Sequence, residues 1–304
     1  MTVFALLGAL ETGLLFGLVA LGVHLSFRVL NFPDLTVDGS FPLGAAVAGI
    51  MIASGIDPWL ATGAAIMAGM IAGMLTAWLT VRLGILHLLS GILVMIALFS
   101  INLRIMGRPN IALIGETTVF TPFQGMAPSH LYPLAFLVTT GVVMLLLGHF
   151  LTSRLGLAMR AAGNNPRMAG ANGIDTGWMT ILGLGVSNGL VGLAGALFAQ
   201  SQGAADVAMG IGTIVIGLAS VIIGETLAPG RGVIFTVVAV VVGSILYRLS
   251  IAVALNAEFL GLQAQDLNLI TAVLVGVALV LPRLRRRLAP RRGRARTPVT
   301  RTVQ

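Results

Sequence analysis

The chain has 304 residues, 57% of them hydrophobic and only 9% charged, with a mean hydropathy of +1.00 and a formal net charge of +8. A soluble domain of this size must cover its surface with polar side chains, so this balance excludes one and suits many membrane spans of roughly 20 apolar residues each. The absence of cysteine excludes disulfides, zinc thiolate sites and thiol nucleophiles.

Met1–Phe27 is interrupted only by Glu11, and MTVFALLGALETG lacks the positive n-region of a signal peptide, so it reads as a first span that is retained. Glu11 is the one acid inside a long apolar run, and an intramembrane carboxylate is a functional candidate. A span starting later, near Leu10, places it at the interface instead. DLTVDG, Asp34–Gly39, opens like a calcium loop, but the twelfth position is Ala45 rather than a bidentate glutamate. Two readings remain for these acids, which follow Asn31 and Pro33. One is a capped helix start, with Asp38 or Ser40 as N-cap and Pro42 in the first turn. The other is a re-entrant or broken segment near 31–54 at the mouth of a polar pathway.

Uncharged runs then follow at Gly39–Ile56, Trp59–Val81, Leu83–Leu103, Tyr132–Leu151, Trp178–Gln200 and Val207–Gly224. Gly232–Tyr247 and Leu267–Leu281 are equally clean but shorter. Backbone in lipid must satisfy its own hydrogen bonds, so these predict helices, about nine membrane segments in an all-α polytopic bundle. Gly69, Gly73 and Ala77, and Gly185, Gly189, Gly192 and Gly195, form small-residue stripes that let helices pack closely. Asn188 and Gln200 lie in the same apolar run and face either a helix neighbour or a substrate path.

MRAAGNNPRMAGANGIDTGW, Met159–Trp178, is a polar, breaker-rich stretch between two very apolar runs. TSRLGLAMRAAG reads as a short amphipathic helix with Arg154 and Arg160 on its polar side; Gly163-Asn164-Asn165-Pro166 stops it and opens a second short helix ending near Gly173. From the residues alone this is either an amphipathic connector at the membrane surface or a compact shape offered to a soluble partner.

All eighteen basic residues are arginine; nine lie from Arg283 onward, beyond the last acid, Asp266, so the tail carries +9 and the remainder −1, nine arginines against ten acids. RLRRRLAPRRGRAR invites a nucleic-acid reading, but it abuts an apolar segment and reads as a cytoplasmic anchor under the positive-inside rule. The expected organisation is a membrane domain over 1–282, with a cytoplasmic loop at about 152–177, and a disordered arginine-rich tail over 283–304. With the tail inside, alternation puts Met159–Trp178, Arg28, Arg82 and Arg231 inside and the Arg104–Leu131 loop outside; Arg104, Arg108 and Arg248 do not fit the rule. The N-terminus falls outside unless the 31–54 segment is re-entrant.

Most chemical motifs fail. Without lysine no Walker A loop is possible, GLGVSNG (Gly183–Gly189) misplaces its third glycine, and the four histidines, His24, His87, His130 and His149, have no metal-ligand spacing. No catalytic, cofactor or metal residues are expected.

LGLAMRAAGNNPRMAGANGID resembles the cytoplasmic coupling loop of ABC importer permeases of the branched-chain amino-acid and monosaccharide type. LNFPDLTVDGSFPLGAAVAG, SNGLVGLAGALFAQSQG and GIGTIVIGLASVIIGE are similar to the same class, and the likeness spans most of Phe16–Leu281. It is nearest a subgroup that is uncharacterised or concerned with aromatic amino acids. The resemblance implies that Arg160, Ala161, Gly163, Asn164, Asn165, Pro166, Ala169 and Gly173 meet a separate ATP-binding subunit, which holds ATP and Mg. It implies an extracytoplasmic solute-binding protein, a second permease copy, and a bacterial plasma-membrane location with a cytoplasmic C-terminus. Candidate substrate-path residues are Asn31, Asp34, Asp38, Asn188 and Gln200. The rival reading, an ion- or proton-coupled secondary transporter, wants buried acid–base pairs, for which only Glu11 is a candidate.

Overall fold

The computed structural model describes residues 3–124, 131–227 and 232–255, together with 273 and 276. Eleven α-helices occur among them: α1 (Val3–His24), α2 (Val37–Ala53), α3 (Pro58–Leu83), α4 (His87–Met106), α5 (Thr121–Gln124), α6 (Leu131–Thr152), α7 (Arg154–Asn164), α8 (Pro166–Ala171), α9 (Thr176–Gln202), α10 (Thr213–Leu227) and α11 (Val233–Leu255). Two three-residue strands, β1 (Asn110–Ala112) and β2 (Ala204–Asp206), pair antiparallel with Ile111 opposite Ala205.

Seven helical segments among the described residues are long and apolar enough to cross a membrane, and α2 is a shorter apolar helix. The expected ninth segment, Leu267–Leu281, and the tail 283–304 lie outside the described residues, apart from Val273 and Gly276. Helix limits follow local chemistry. Asp57 caps α3 by accepting from the N–H groups of Trp59 and Leu60, Pro58 occupies the first turn, and Gly84 ends the helix at φ +70°. Asp175 caps α9 through the Trp178 N–H, and Gly203 closes it at φ +71°.

The long helices run between two ends. One carries α7 and α8; the other carries the β1–β2 ladder. α1 runs from the ladder end toward the α7–α8 end, continues as a π-turn over Leu25–Val29, and the chain then re-enters the bundle as irregular backbone through Asn31–Thr36. Asn31 bends it at φ +54°, the one non-glycine residue with positive φ among those described. α2 begins beside Asn188, near the middle of the 27-residue α9, and completes the crossing. The 31–54 segment is therefore broken rather than re-entrant.

A second broken crossing answers the first. After α9 and β2, a short 3₁₀ turn (Val207–Gly210) leads back from the ladder end to α10, which finishes at the α7–α8 end, where Glu225 pairs with Arg28. α1–α2–α3 and α9–α10–α11 thus form two triplets of opposite sense, each with a short central helix of 17 or 15 residues preceded by irregular backbone. The first helix of each triplet packs on the other two helices of its counterpart: α9 on α2 and α3, α1 on α10 and α11. Irregular backbone at this depth is tolerated where it is buried in protein or lines a water-filled cavity.

The glycine stripes explain how the helices approach. A Cβ on Gly69 or Gly73 of α3 would strike the carbonyls of Asn188 or Leu184 on α9, and one on Gly195 would strike the Phe41 carbonyl on α2. Gly185 and Gly189 admit the side chains of Met74 and Met70. These stripes pack the bundle, as small residues do where helix association depends on close van der Waals contact.

Candidate functional site

The α7–α8 end is built from three caps. Ser153 accepts from the Gly156 N–H at 3.3 Å, Asn165 from the Met168 N–H at 3.0 Å, and Asp175 from the Trp178 N–H at 2.9 Å. Asn165 is extended, at φ −150° and ψ 90°, so the chain turns sharply between α7 and α8, and Pro166 starts α8 where its missing N–H costs nothing. The expected coupling residues divide between two faces. Asn164, Asn165, Pro166 and Gly173 are exposed, with Arg167 and Met168 beside them at the apex; Gly173 has φ +79° and ends α8. Ala169 is fully buried, and Arg160, Ala161 and Gly163 are half-buried.

Gly163 is where the exposed apex meets the bundle. A Cβ there would run into the Val29 carbonyl and lie 2.8 Å from Leu30 Cα. Leu30 is in turn held with Met159 against Gly183 of α9, whose added Cβ would sit 2.9 Å from Met159 Sδ. The end of α7 is thus wedged directly against the backbone that leads into the first broken crossing. A cavity of about 790 Å³ opens alongside, lined by His24, Arg28, Asn31, Arg160, Asn164 and Thr236 among others. Asn31 is exposed there.

At mid-bundle two of the candidate path residues, Asp34 and Asn188, form a closed polar network with Thr36, Ser40 and Thr76. Asp34 accepts from the Thr36 N–H at 2.9 Å through Oδ1 and from Asn188 Nδ2 at 2.6 Å through Oδ2. Ser40 donates to Asn188 Oδ1 at 2.8 Å, and the hydroxyls of Thr36 and Thr76 hydrogen-bond at 2.7 Å. Asp34 and Asn188 are both fully buried, so the network ties the unwound stretch, α2, α3 and α9 together. Its partners satisfy a carboxylate that would be costly to bury alone.

Asp38 works differently from the helix-start reading. It sits in the first turn of α2, but its carboxylate accepts from the N–H groups of Ile214 at 2.7 Å and Gly212 at 3.3 Å, capping α10 across the bundle. Thr36, the residue before α2, makes no side-chain cap, and Ser40 is committed to Asn188. The two short helices therefore meet at their N-termini, joined by one carboxylate placed where the free N–H groups of α10 concentrate positive charge. Gln200 is a brace near the ladder end: it accepts from the Val119 N–H at 3.0 Å and donates to Thr62 Oγ1 at 3.0 Å. Glu11 is half-buried on α1 and has no hydrogen-bond or ion-pair partner among the described residues.

Sequence reading passed over Thr36, Thr62, Thr76 and Asn102, all buried and polar, and took Ser40 only as a possible helix cap. Each is a hydrogen-bonding side chain within or beside an apolar run, the signal by which they were findable.

The model of the family described as "Branched-chain amino acid transport system / permease component" matches residues 5–281. The chain is 41% identical over 270 residues to a "Tyrosine transport system permease protein" of Clostridioides difficile (strain R20291), covering 89% of this chain and 88% of the relative. It is 34% identical over 278 residues to an uncharacterized protein of Rickettsia prowazekii (strain Madrid E), covering 90% and 96% respectively. No solved structure matches it.

Proposed function

The chain belongs to the branched-chain amino acid transport permease family, and from that premise we propose that it is the membrane subunit of an ABC importer driven by a separate ATPase. The chain is a multi-pass permease of amino-acid transport type, a non-enzymatic component of its system. In the proposed system two copies form the translocation unit, a solute-binding protein delivers cargo at the ladder end, and the ATPase subunits dock on α7 and α8. That assigns the α7–α8 end and the C-terminus to the cytoplasm of a bacterial cell. The tyrosine permease relative favours an aromatic amino acid as cargo.

The observation that carries this reading is the wedge at Gly163. An exposed apex of Asn164, Asn165 and Pro166 is joined, with no space between, to the Val29–Leu30 backbone at the entrance of the first broken crossing. Movement imposed on the apex by a closing ATPase pair passes through rigid contact to the discontinuous segment, the kind of element that rearranges in alternating access. An isolated connector has no need of such a lever.

Purification from native membranes in mild detergent, with co-purifying chains identified by mass spectrometry, tests this. A stoichiometric P-loop ATPase, lost when Asn164, Asn165 and Pro166 are replaced by alanine in a chain that still folds, is the expected result. Recovery of the folded wild-type chain without any ATPase overturns the reading.

A further inference from the structure

A second cavity, of about 430 Å³, lies between α2, α4 and the irregular stretch leading to α10, and its lining includes Asp38, Met95, Phe99, Ser100, Asn102 and Ile211. Its size falls in the ordinary range for small-molecule sites. Three features set this face apart from a lipid-facing one. Ile211, in non-helical backbone, is 81% exposed, and irregular backbone does not face hydrocarbon. Ser100 is exposed within the apolar length of α4 and makes no hydrogen bond among the described residues. Asn102 is fully buried; its Nδ2 donates to the Gly39 carbonyl at 3.2 Å, which leaves Oδ1 without any donor. A buried amide oxygen left unpaired is costly, so each such group asks for an explanation.

The chemistry of the lining is one-sided. Asn102 Oδ1 is sealed inside the wall, out of reach of the cavity, but part-exposed Asp38 offers two oxygens that each hold one N–H at the start of α10 and keep a further lone pair. A carboxylate with lone pairs to spare, in a lining that holds no basic residue, calls for a ligand group rich in N–H and carrying positive charge. The Ser100 hydroxyl can donate as well as accept. The Phe99 ring, with the residue 54% exposed, and the Met95 thioether supply an apolar, polarisable wall.

We propose that this cavity is a transit site for the amino-acid cargo, its ammonium group held by Asp38, its carboxylate by Ser100, and its side chain against Phe99 and Met95. The site rests on the importer reading above and adds to it where, on the permease itself, the cargo is held. It also identifies the α2–α4 face as water-lined rather than lipid-covered.

The absence of cysteine from the chain makes the test direct. Ser100→Cys and Ile211→Cys, and as a control Leu145→Cys on the exposed face of α6, are introduced separately into the permease–ATPase complex. A charged, membrane-impermeant methanethiosulfonate then probes them in liposomes. The expected result is labelling at positions 100 and 211, none at 145, and slowing of the position-100 reaction by saturating L-tyrosine. Phe99→Ala raises the KM for ATP-driven L-tyrosine uptake about tenfold, the scale of one lost aromatic contact. Silence at positions 100 and 211, or equal labelling at 145, overturns the water-lined face and the site with it. Labelling that L-tyrosine does not slow, in a complex whose wild type imports L-tyrosine, overturns the site alone. A wild-type complex that imports no amino acid with ATP overturns the importer reading and with it the cargo assigned to the cavity.

Discussion

Two glycines in the same surface loop are expected to respond in opposite ways to the same substitution. Gly163→Ala places a methyl group against the Val29 carbonyl and 2.8 Å from Leu30 Cα, both backbone atoms that no side-chain rotation can move aside. Overpacking against backbone falls in the upper part of the usual range, about 2–3 kcal/mol. Replacing a helical glycine with alanine returns up to about 1 kcal/mol, leaving a net loss of roughly 1–2 kcal/mol. For a chain of 304 residues that is a fall in unfolding midpoint of roughly 1.5–3 °C. Gly170→Ala lies on α8 with nothing within 4 Å of the new methyl group, so only the propensity gain of about 0.4–1 kcal/mol remains. Thermal scans of the two variants in one detergent, at one scan rate, make the comparison. If the wedge is the lever, Gly163→Ala also lowers transport per ATP hydrolysed while Gly170→Ala does not. A Gly163→Ala protein as stable as wild type, or a Gly170→Ala protein that loses as much, would refute the close contact on which the lever depends.

Asn188→Ala strips Asp34 of its side-chain donor and Ser40 of its acceptor, for roughly 1.5–3 kcal/mol, whereas Thr76→Ala removes one hydroxyl pair worth about 0.6 kcal/mol; thermal unfolding should rank them in that order. Asp38→Ala uncaps α10 at about 1–2 kcal/mol, and Asp38→Asn, which keeps an amide oxygen, recovers part of the lost midpoint; equal losses in the two variants would contradict the cap. Arg28 pairs with Glu225 across half-exposed surface, so Glu225→Gln should change stability by no more than about 1 kcal/mol, and a larger fall in midpoint would show a role beyond the ion pair.

Much of the architecture was legible because the bilayer imposes it. Uncharged runs bounded by glycine, proline and aspartate became helices nearly where the pattern put them, and Asp57, Asp175 and Asn165 cap the helices that follow them. The turn at Asn164-Asn165-Pro166 was readable for the same reason: its determinants are adjacent in the chain. What stayed hidden depends on residues far apart. Nothing near Asp34 points to Asn188, 154 residues away, and nothing near Asp38 shows that its carboxylate caps a helix beginning at Thr213 instead of its own. The inverted pairing of the two triplets was equally invisible, because opposite-sense repeats share packing geometry and no residue pattern that a single pass along the chain detects. Gln200, polar in an apolar run, was open to two readings, a helix neighbour or a substrate path; its two hydrogen bonds, to Val119 and Thr62, are of the first kind in this state.

The most direct test of the account is L-tyrosine uptake by the permease reconstituted in liposomes with its co-purified ATPase and solute-binding protein. The account predicts uptake that requires ATP and is abolished in the Asn164, Asn165 and Pro166 triple alanine variant, with proton and sodium gradients having no effect. Uptake driven by either gradient in the absence of ATP would contradict it and turn attention to Glu11.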